Sequence, residues 1–482
     1  MTRASSCGSF RYADALPADG GHVGETAAAY RPEGHFTERH LQCLWSDDRL
    51  RPSRLTDDQG ETVEVRSPGR WNLEAGPDFL DAVLLVGSEK RQLVGDVEIH
   101  IRPGAWKQHR HGDDPDYGRV VAHVTYVPGP RADDALPPHV LRIALRDILR
   151  RNPGFAFDDI DLEAYPHAVI PPGPRPCARA LGDDPNRWRA LLAGAGRHRL
   201  ERKQQRLAAR IGQTRDPQQA LYEAFMAALG YKRNTRAFRL LAQRLPLAGW
   251  SPAAPADRYA RLMLAAGLLP DPARGEDEAS RQLIRQLWDR AWREPVPAAA
   301  EPLPWRLNAM RPANHPARRL AVAAALFGDP APVESLWSDL LLEPPEVWFR
   351  MLRQRLVERS RLELWNDRLT LTHRSGGETA CASLLGAATA ATLVTNVIVP
   401  FLACERPEIL PRLLPGLPAE EISAPMRATA VHLFGRDHNP ALYAASGLLQ
   451  QGLLQIHADF CLDAHAGCGA CGLAAALDRA TP

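Results

Sequence analysis

Acids and imidazoles crowd into one stretch of the chain. Between Gly69 and Val127 lie Asp78, Asp96, Glu98, His100, His109, His111, Asp114, Asp116 and His123, set among three short apolar runs, DFLDAVLLVG, QLVGDVEIHI and RVVAHVTYV. These runs are β-branched and bounded by Gly, Pro or Asp, the pattern of buried strands. Carboxylates in such strands need a partner or a metal to be tolerated, so the chemistry they suggest is divalent-cation binding. A period of two puts Glu98 and His100 on one face of their strand, with Val97 and Ile99 on the other. Asp78, opening the preceding strand, and Glu98 would offer hard oxygen ligands to Mg²⁺ or Mn²⁺. Such a metal would acidify a water, and His100 would orient or deprotonate it.

A second grouping uses His109 and His111 with Asp114 or Asp116, and with His123 nearby, as an imidazole and carboxylate site for Fe²⁺ or Mn²⁺. The plain alternative makes HRHGDDPDYG a solvated turn that caps a helix. Near the C-terminus, FCLDAHAGCGACG spaces Cys461, Cys468 and Cys471 as C-x6-C-x2-C, with His465 between them. Two thiolates on a tight loop suit one ion, and a fourth ligand is expected from His465 or from the distant Cys177. Structural Zn²⁺ and an iron–sulfur cluster are the two occupants this pattern admits. Cys7, Cys43, Cys381 and Cys404 read as small apolar residues.

The elements that must hold these groups follow from the same patterning. Residues 1–33 are small, polar and Gly-rich and are expected to form a loose tail. HFTERHLQCLW then predicts a helix with Thr37 as N-cap, Leu41, Leu44 and Trp45 on its packed face, and Glu38 turned toward a site. A strand around Glu61 to Val65 follows, giving the order helix, three strands, short helix or loop, strand over an α/β module at 34–150. The proline-rich stretch 151–176 is the expected linker. From 177 to 482 the pattern is helical almost throughout, roughly ten helices by typical length, with no fixed repeat. Arg199, Arg202, Lys203 and Arg206 share a helical face, and Lys232, Arg233 and Arg311 stand beside turns. Together they could track the phosphates of a nucleic acid, or they could be solvated charges.

The 482 residues exceed one ordinary core. Lys plus Arg is 59 against 57 Asp plus Glu, a net +2, so no global field drives the chain onto nucleic acid or membrane. An apolar leader is absent from the N-terminus and no uninterrupted apolar run of membrane-spanning length is evident. The expectation is a cytoplasmic protein without a membrane partner, and its eight cysteines point to metal ligation rather than a secreted disulfide framework.

Pro77-Asp78 followed by Glu98-Ile99-His100 on the neighbouring strand resembles the PD-(D/E)XK nucleases, with His100 where that superfamily usually carries Lys. The order helix, three strands, helix, strand is similar to that superfamily's αβββαβ core, and Glu38 falls where some members have an extra acid. The resemblance implies metal-dependent cleavage of nucleic acid. A non-catalytic scaffold that kept the fold is the competing expectation, because neutral imidazole does not supply the fixed charge of Lys. The cysteine set resembles the iron–sulfur staple of RecB-like nucleases, and the HRH turn the ligands of cupin-like oxygenases, whose following Glu, Gly and second His are absent. TERHLQCLW, GRWNLEAGPDFLDAVLLVG, GDVEIHIRPGAWKQHRHGDDPDYGRVVAHV, ALGYKRNTRAF, RPANHPARRLA and the CGAC tail occur in one order. That order resembles the domain-of-unknown-function 2851 family of bacterial proteins, with His315 standing where its pattern has Phe. This second resemblance implies no activity.

Overall fold

The computed structural model describes residues 12, 36–73, 76–130, 136–152, 155–166, 175–182, 184–250, 254–293, 302–307, 312–327, 333–374, 384–462, 468 and 471–479. Two compact units emerge: Met1–Arg199 with Ile422–Pro440 and Leu449–Pro482, and Leu200–Glu421 with Ala441–Leu448. This division differs from a cut at 151–176. Phe157, Ile160 and Leu162 of the expected linker are buried in the core beside the sheet. Proline density marked the turns there but not the apolar side chains between them.

In the first unit, helix α1 (Glu38–Ser46) starts at Thr37, whose backbone N–H donates to His40 Nδ1 at 3.0 Å. Leu41, Leu44 and Trp45 are wholly buried, each contributing on the order of 1.5–3 kcal/mol of burial. Among the described residues seven strands follow: β1 (Leu55–Thr56), β2 (Thr62–Ser67), β3 (Arg70–Trp71), β4 (Phe79–Val86), β5 (Arg91–His100), β6 (Val120–Thr125) and β7 (Leu141–Ala144). They form one sheet in the order β1-β2-β4-β5-β6-β7, with β3 paired to β4. Pairing is antiparallel from β1 through β5 and parallel for β5-β6 and β6-β7. The parallel step is made by a crossover holding the short helix α2 (Ala105–Gln108) and two 3-10 turns, His111–Asp113 and Pro115–Arg119. Helix α3 (Arg146–Arg150) comes after β7.

Alternation along the central strands divides their side chains as the sequence predicts. Val97 and Ile99 of β5 and Ala122 and Val124 of β6 join the α1 side chains in one core, leaving Asp96, Glu98, His100 and His123 on the opposite face. Gly95 lets the two strands approach: a Cβ there would lie 2.5 Å from Arg119 O and 2.4 Å from Val121 Cγ1. The short strands β1 and β3 carry too few residues for any period to show. Helix α4 (Pro176–Leu181) and the start of helix α5 (Pro185–Thr214) also belong to this unit.

The second unit is helical. Its core takes in Leu200, Leu221, Phe225, Leu241, Tyr259, Leu320 and Trp348. His315 is the N-cap of helix Pro316–Leu326, its Nδ1 accepting from Ala317 N at 3.2 Å, so imidazole at this position caps rather than packs. Among the described residues one helical stretch, Ala387–Glu405, is long and apolar enough to cross a membrane. Interleaved Thr, Asn and Pro hid it as an apolar run. Core packing accounts for its composition, since 67% of its most apolar 18-residue window is buried within the protein.

Candidate metal centre

The site is built where α1, the start of β4 and the end of β5 meet. Glu38 and Gln42 are four residues apart on α1 and therefore share a helix face. Glu38 Oε1 accepts from Ile101 N at 3.3 Å. Gln42 Nε2 donates to Asp78 Oδ1 at 2.7 Å, and Ile99 N donates to Asp78 Oδ2 at 2.9 Å. Asp78 N in turn donates to Glu98 Oε2 at 3.2 Å. Helix α1 thus fixes the Asp78 carboxylate, and the backbone of Asp78 fixes one oxygen of Glu98.

The other oxygen of Glu98 faces imidazoles. Glu98 Oε1 lies 3.3 Å from His100 Nε2 and 3.3 Å from His111 Nε2. His100 Nε2 is also 3.2 Å from His109 Nδ1 and 3.4 Å from His111 Nε2. A single ring nitrogen carries one proton at most, so hydrogen bonding cannot satisfy all these approaches at once. A tetrahedral metal with bonds of about 2.0–2.1 Å to nitrogen separates its ligand atoms by about 3.3–3.4 Å, close to these four separations. His100, His109 and His111 each offer a ligand atom within 4.8 Å of the others. On the far side of His100, Nδ1 meets His123 Nε2 at 2.8 Å, a contact of the kind that orients a metal-ligating ring. Tyr117 stacks on His111 with ring centres 3.9 Å apart, and Trp106 stands edge-on to the same ring at 5.3 Å.

Burial sets the electrostatics. Glu98 is 6% exposed and His100 1%. Desolvation pushes the Glu98 carboxyl well above the usual carboxylate range; the Asp78 N–H opposes this and the Glu38 charge adds to it. Desolvation likewise holds His100 well below the ordinary imidazole value, with His123, His109 and His111 adding to the effect. His111 is lowered by burial, against a pull upward from Asp114. Neutral imidazoles are the form that binds metals.

The two groupings expected from the sequence therefore merge, because the crossover after β5 folds His109 and His111 back over Glu98 and His100. Asp114 does not join them. It is exposed and its Oδ1 accepts from Asp116 N at 3.0 Å, capping the 3-10 turn Pro115–Arg119, as the plain alternative for that turn expects. Asp96 is buried and accepts from Asp81 N at 3.0 Å. Sequence reasoning missed Gln42, although its position four residues after Glu38 was the available signal.

Of the basic residues, Arg199 and Lys203 are engaged within the fold. Arg199 donates to Gln451 Oε1 at 3.0 Å and Gln455 Oε1 at 3.3 Å, and Lys203 donates to Asn396 Oδ1. Arg202 and Arg206 are half-buried. Arg311 and the side chains of Lys232 and Arg233 lie outside the described residues, as do His465, Cys7 and Cys381. Cys177, Cys461, Cys468 and Cys471 line one pocket in the first unit. Burial first, then the neighbouring thiols Cys471 and Cys468, push the Cys177 thiol up to about 11. Cys461 is pushed up to about 12 by burial and by Cys177, Cys471 and Cys468.

Fold and cluster together define a two-unit protein in which a mixed sheet carries an imidazole and carboxylate centre, with Glu98, His100 and His111 buried and His109 exposed, and the remaining unit is helical. The chain belongs to the DUF2851 family, whose profile, described as a protein of unknown function, matches residues 38–409. Neither a curated protein nor a solved structure matches the chain.

Proposed function

We propose that this protein is a metal-dependent hydrolase of phosphodiesters in nucleic acid, acting in the cytoplasm, with a divalent transition ion held by His100, His109 and His111 and with Glu98 Oε1 beside the His100 and His111 nitrogens. The observation that carries the proposal is the approach of Glu98 Oε1 to within 3.3 Å of both His100 Nε2 and His111 Nε2 in a buried setting. A nitrogen-rich set favours Mn²⁺, Fe²⁺ or Zn²⁺ over Mg²⁺, which revises the all-oxygen site expected from Asp78 and Glu98. When bound, such an ion lowers the pKa of a coordinated water and screens phosphate charge.

Each protein group then has a task. His123 holds His100 in one orientation. Asp78, with Gln42 on one carboxylate oxygen and Ile99 N on the other, positions Glu98 through its backbone N–H. Trp106 and Tyr117 wall the His111 ring. Further support for the nuclease class comes from the arrangement around the site: a leading helix, the antiparallel strands β2, β4 and β5, a crossover, and β6 parallel to β5. Asp78 immediately precedes β4 and Glu98 sits on β5, an arrangement that supports the PD-(D/E)XK reading.

The test is cleavage of single- and double-stranded DNA and RNA by the full-length protein with Mn²⁺, Zn²⁺ or Mg²⁺ added. Cleavage supported by Mn²⁺ or Zn²⁺, and reduced at least about 100-fold in Glu98→Gln and His111→Ala, is the expected result. Equal activity in both variants would assign the cleavage elsewhere. Metal binding with no cleavage of any of these substrates would favour the scaffold.

A further inference from the structure

A second metal-ligating set lies in the first unit, remote in sequence from the histidines. Helix α4 brings Cys177, and the C-terminal segment brings Cys461, Cys468 and Cys471, to the walls of one pocket. Helix α4 packs against both helix Ala424–Phe434 and helix Gly472–Arg479, so residues some 290 positions apart along the chain are held together by three helices. The contact of Arg175 Nη1 with Cys468 Sγ, at 3.7 Å, ties the same two segments. Apart from the sulfurs and His432, the lining is apolar, with Ile456, Phe460 and Leu473 among it.

Four thiols facing one apolar void have no ordinary structural use. Buried cysteines commonly behave as small apolar residues, and Cys43 lies in the core beside the sheet. Half-buried Cys404 instead spends its S–H on Pro400 O at 3.3 Å and Gln204 O at 3.4 Å. Disulfides are absent among the six described cysteines. The species of occupant follows from the shape of the space. Around zinc, four sulfurs at about 2.3 Å from the ion close to about 3.8 Å of one another and leave no room between them. Here no three of the four sulfurs lie within 4.8 Å of one another, a wider set than one zinc closes and the spread that a polynuclear cluster spans.

We propose that Cys177, Cys461, Cys468 and Cys471 hold a [4Fe–4S] cluster that ties the C-terminal segment to helix α4. Loading is a ligand exchange with a cluster carried on other thiolates: four Fe–S bonds to the carrier break as four Fe–Sγ bonds form, the S–H protons pass to the released carrier thiolates, and no electron changes hands. Arg175 donates toward the Cys468 sulfur and offsets part of the thiolate charge. His432, whose carbonyl accepts from the Cys177 thiol at 3.9 Å, lies at the pocket wall and is not needed as a ligand.

The test uses full-length protein purified without oxygen, analysed for iron, acid-labile sulfide and zinc, and examined by visible absorption. Four irons and four sulfides per chain with a broad absorption near 400 nm are expected, and Cys468→Ser and Cys177→Ser should each lose most of the iron. The control Cys404→Ser should keep all of it. Cysteine variants that fail to fold leave the result on the unaltered protein, which decides by itself. One zinc per chain without sulfide would overturn the cluster, and neither metal would overturn the site. Iron retained in full by Cys177→Ser would overturn the role of α4.

Discussion

Gln42 Nε2 donates to Asp78 Oδ1 at 2.7 Å, both groups being buried. The bond joins α1 to the first residue of the site. In the proposed centre Asp78 is then a positioning residue, its backbone N–H donating to Glu98. Replacing Gln42 by Leu leaves a buried carboxylate oxygen without that donor, at a cost of about 1–3 kcal/mol. If Asp78 acts through Glu98 on a metal, the same change should lower affinity for Mn²⁺ or Co²⁺ by about 10–100-fold. Urea unfolding and metal titration measure the two effects separately. A stability loss with unchanged affinity would make Asp78 purely structural.

Asp114 and His111 are three residues apart, and their variants should behave oppositely. Asp114→Ala removes an exposed cap on a 3-10 turn and should cost about 1 kcal/mol or less, with metal affinity intact. His111→Ala removes a ligand atom 3.3 Å from Glu98 Oε1 and should abolish tight binding of one ion. Titrating both variants with Co²⁺ and following its visible spectrum gives the comparison. Loss of binding in Asp114→Ala would return that residue to the site.

Much of the centre was legible because strand alternation and burial obey short-range rules. Glu98 and His100 read correctly as sharing a face, and the β-branched runs became β4, β5 and β6. The merging of His109 and His111 with that pair was not legible, since the crossover's path depends on 3-10 turns whose only local marks are Gly112, Gly118 and Pro115. Basic spacing on α5 admits a phosphate track or solvated charges, and it does not show that Arg199 reaches Gln451 and Gln455, partners about 250 residues away. Nor does any local pattern tell that Cys461 to Cys471 return to the unit of the sheet.

Asp47, at the C-cap of α1, gives a pH test of that helix's anchorage. Burial alone would raise its carboxyl, but hydrogen bonds from Arg49 and Tyr165 outweigh burial and lower it from 3.8 to about 2. Tyr165 Oη donates to Oδ2 at 2.8 Å and Arg49 Nε to Oδ1 at 2.8 Å. A depressed folded value means the ionised form stabilises the fold above the unfolded pKa and that this share is lost as pH falls through the folded one. Asp47→Asn should therefore be less stable than the parent at neutral pH, with the gap closing between 3.8 and about 2. A gap constant over that window in pH-dependent urea melts would remove Asp47's charge from the account.

Gly452 and Gly212 both sit in helices, where alanine is ordinarily better than glycine by about 1 kcal/mol. Their surroundings should give opposite signs. A Cβ on Gly452, in helix Gly447–Ile456, would lie 2.1 Å from Leu192 O and 2.8 Å from Leu192 C on α5. Backbone cannot swing aside as a side chain can, so the two helices must separate, and overpacking of this kind costs about 1–3 kcal/mol. At Gly212, also on α5, a Cβ meets nothing within 4 Å. Gly452→Ala should lower the melting temperature and Gly212→Ala should hold or raise it, both read by calorimetry on the full-length chain. If Gly452→Ala is neutral, the close crossing of its helix with α5 is not a constraint on the fold.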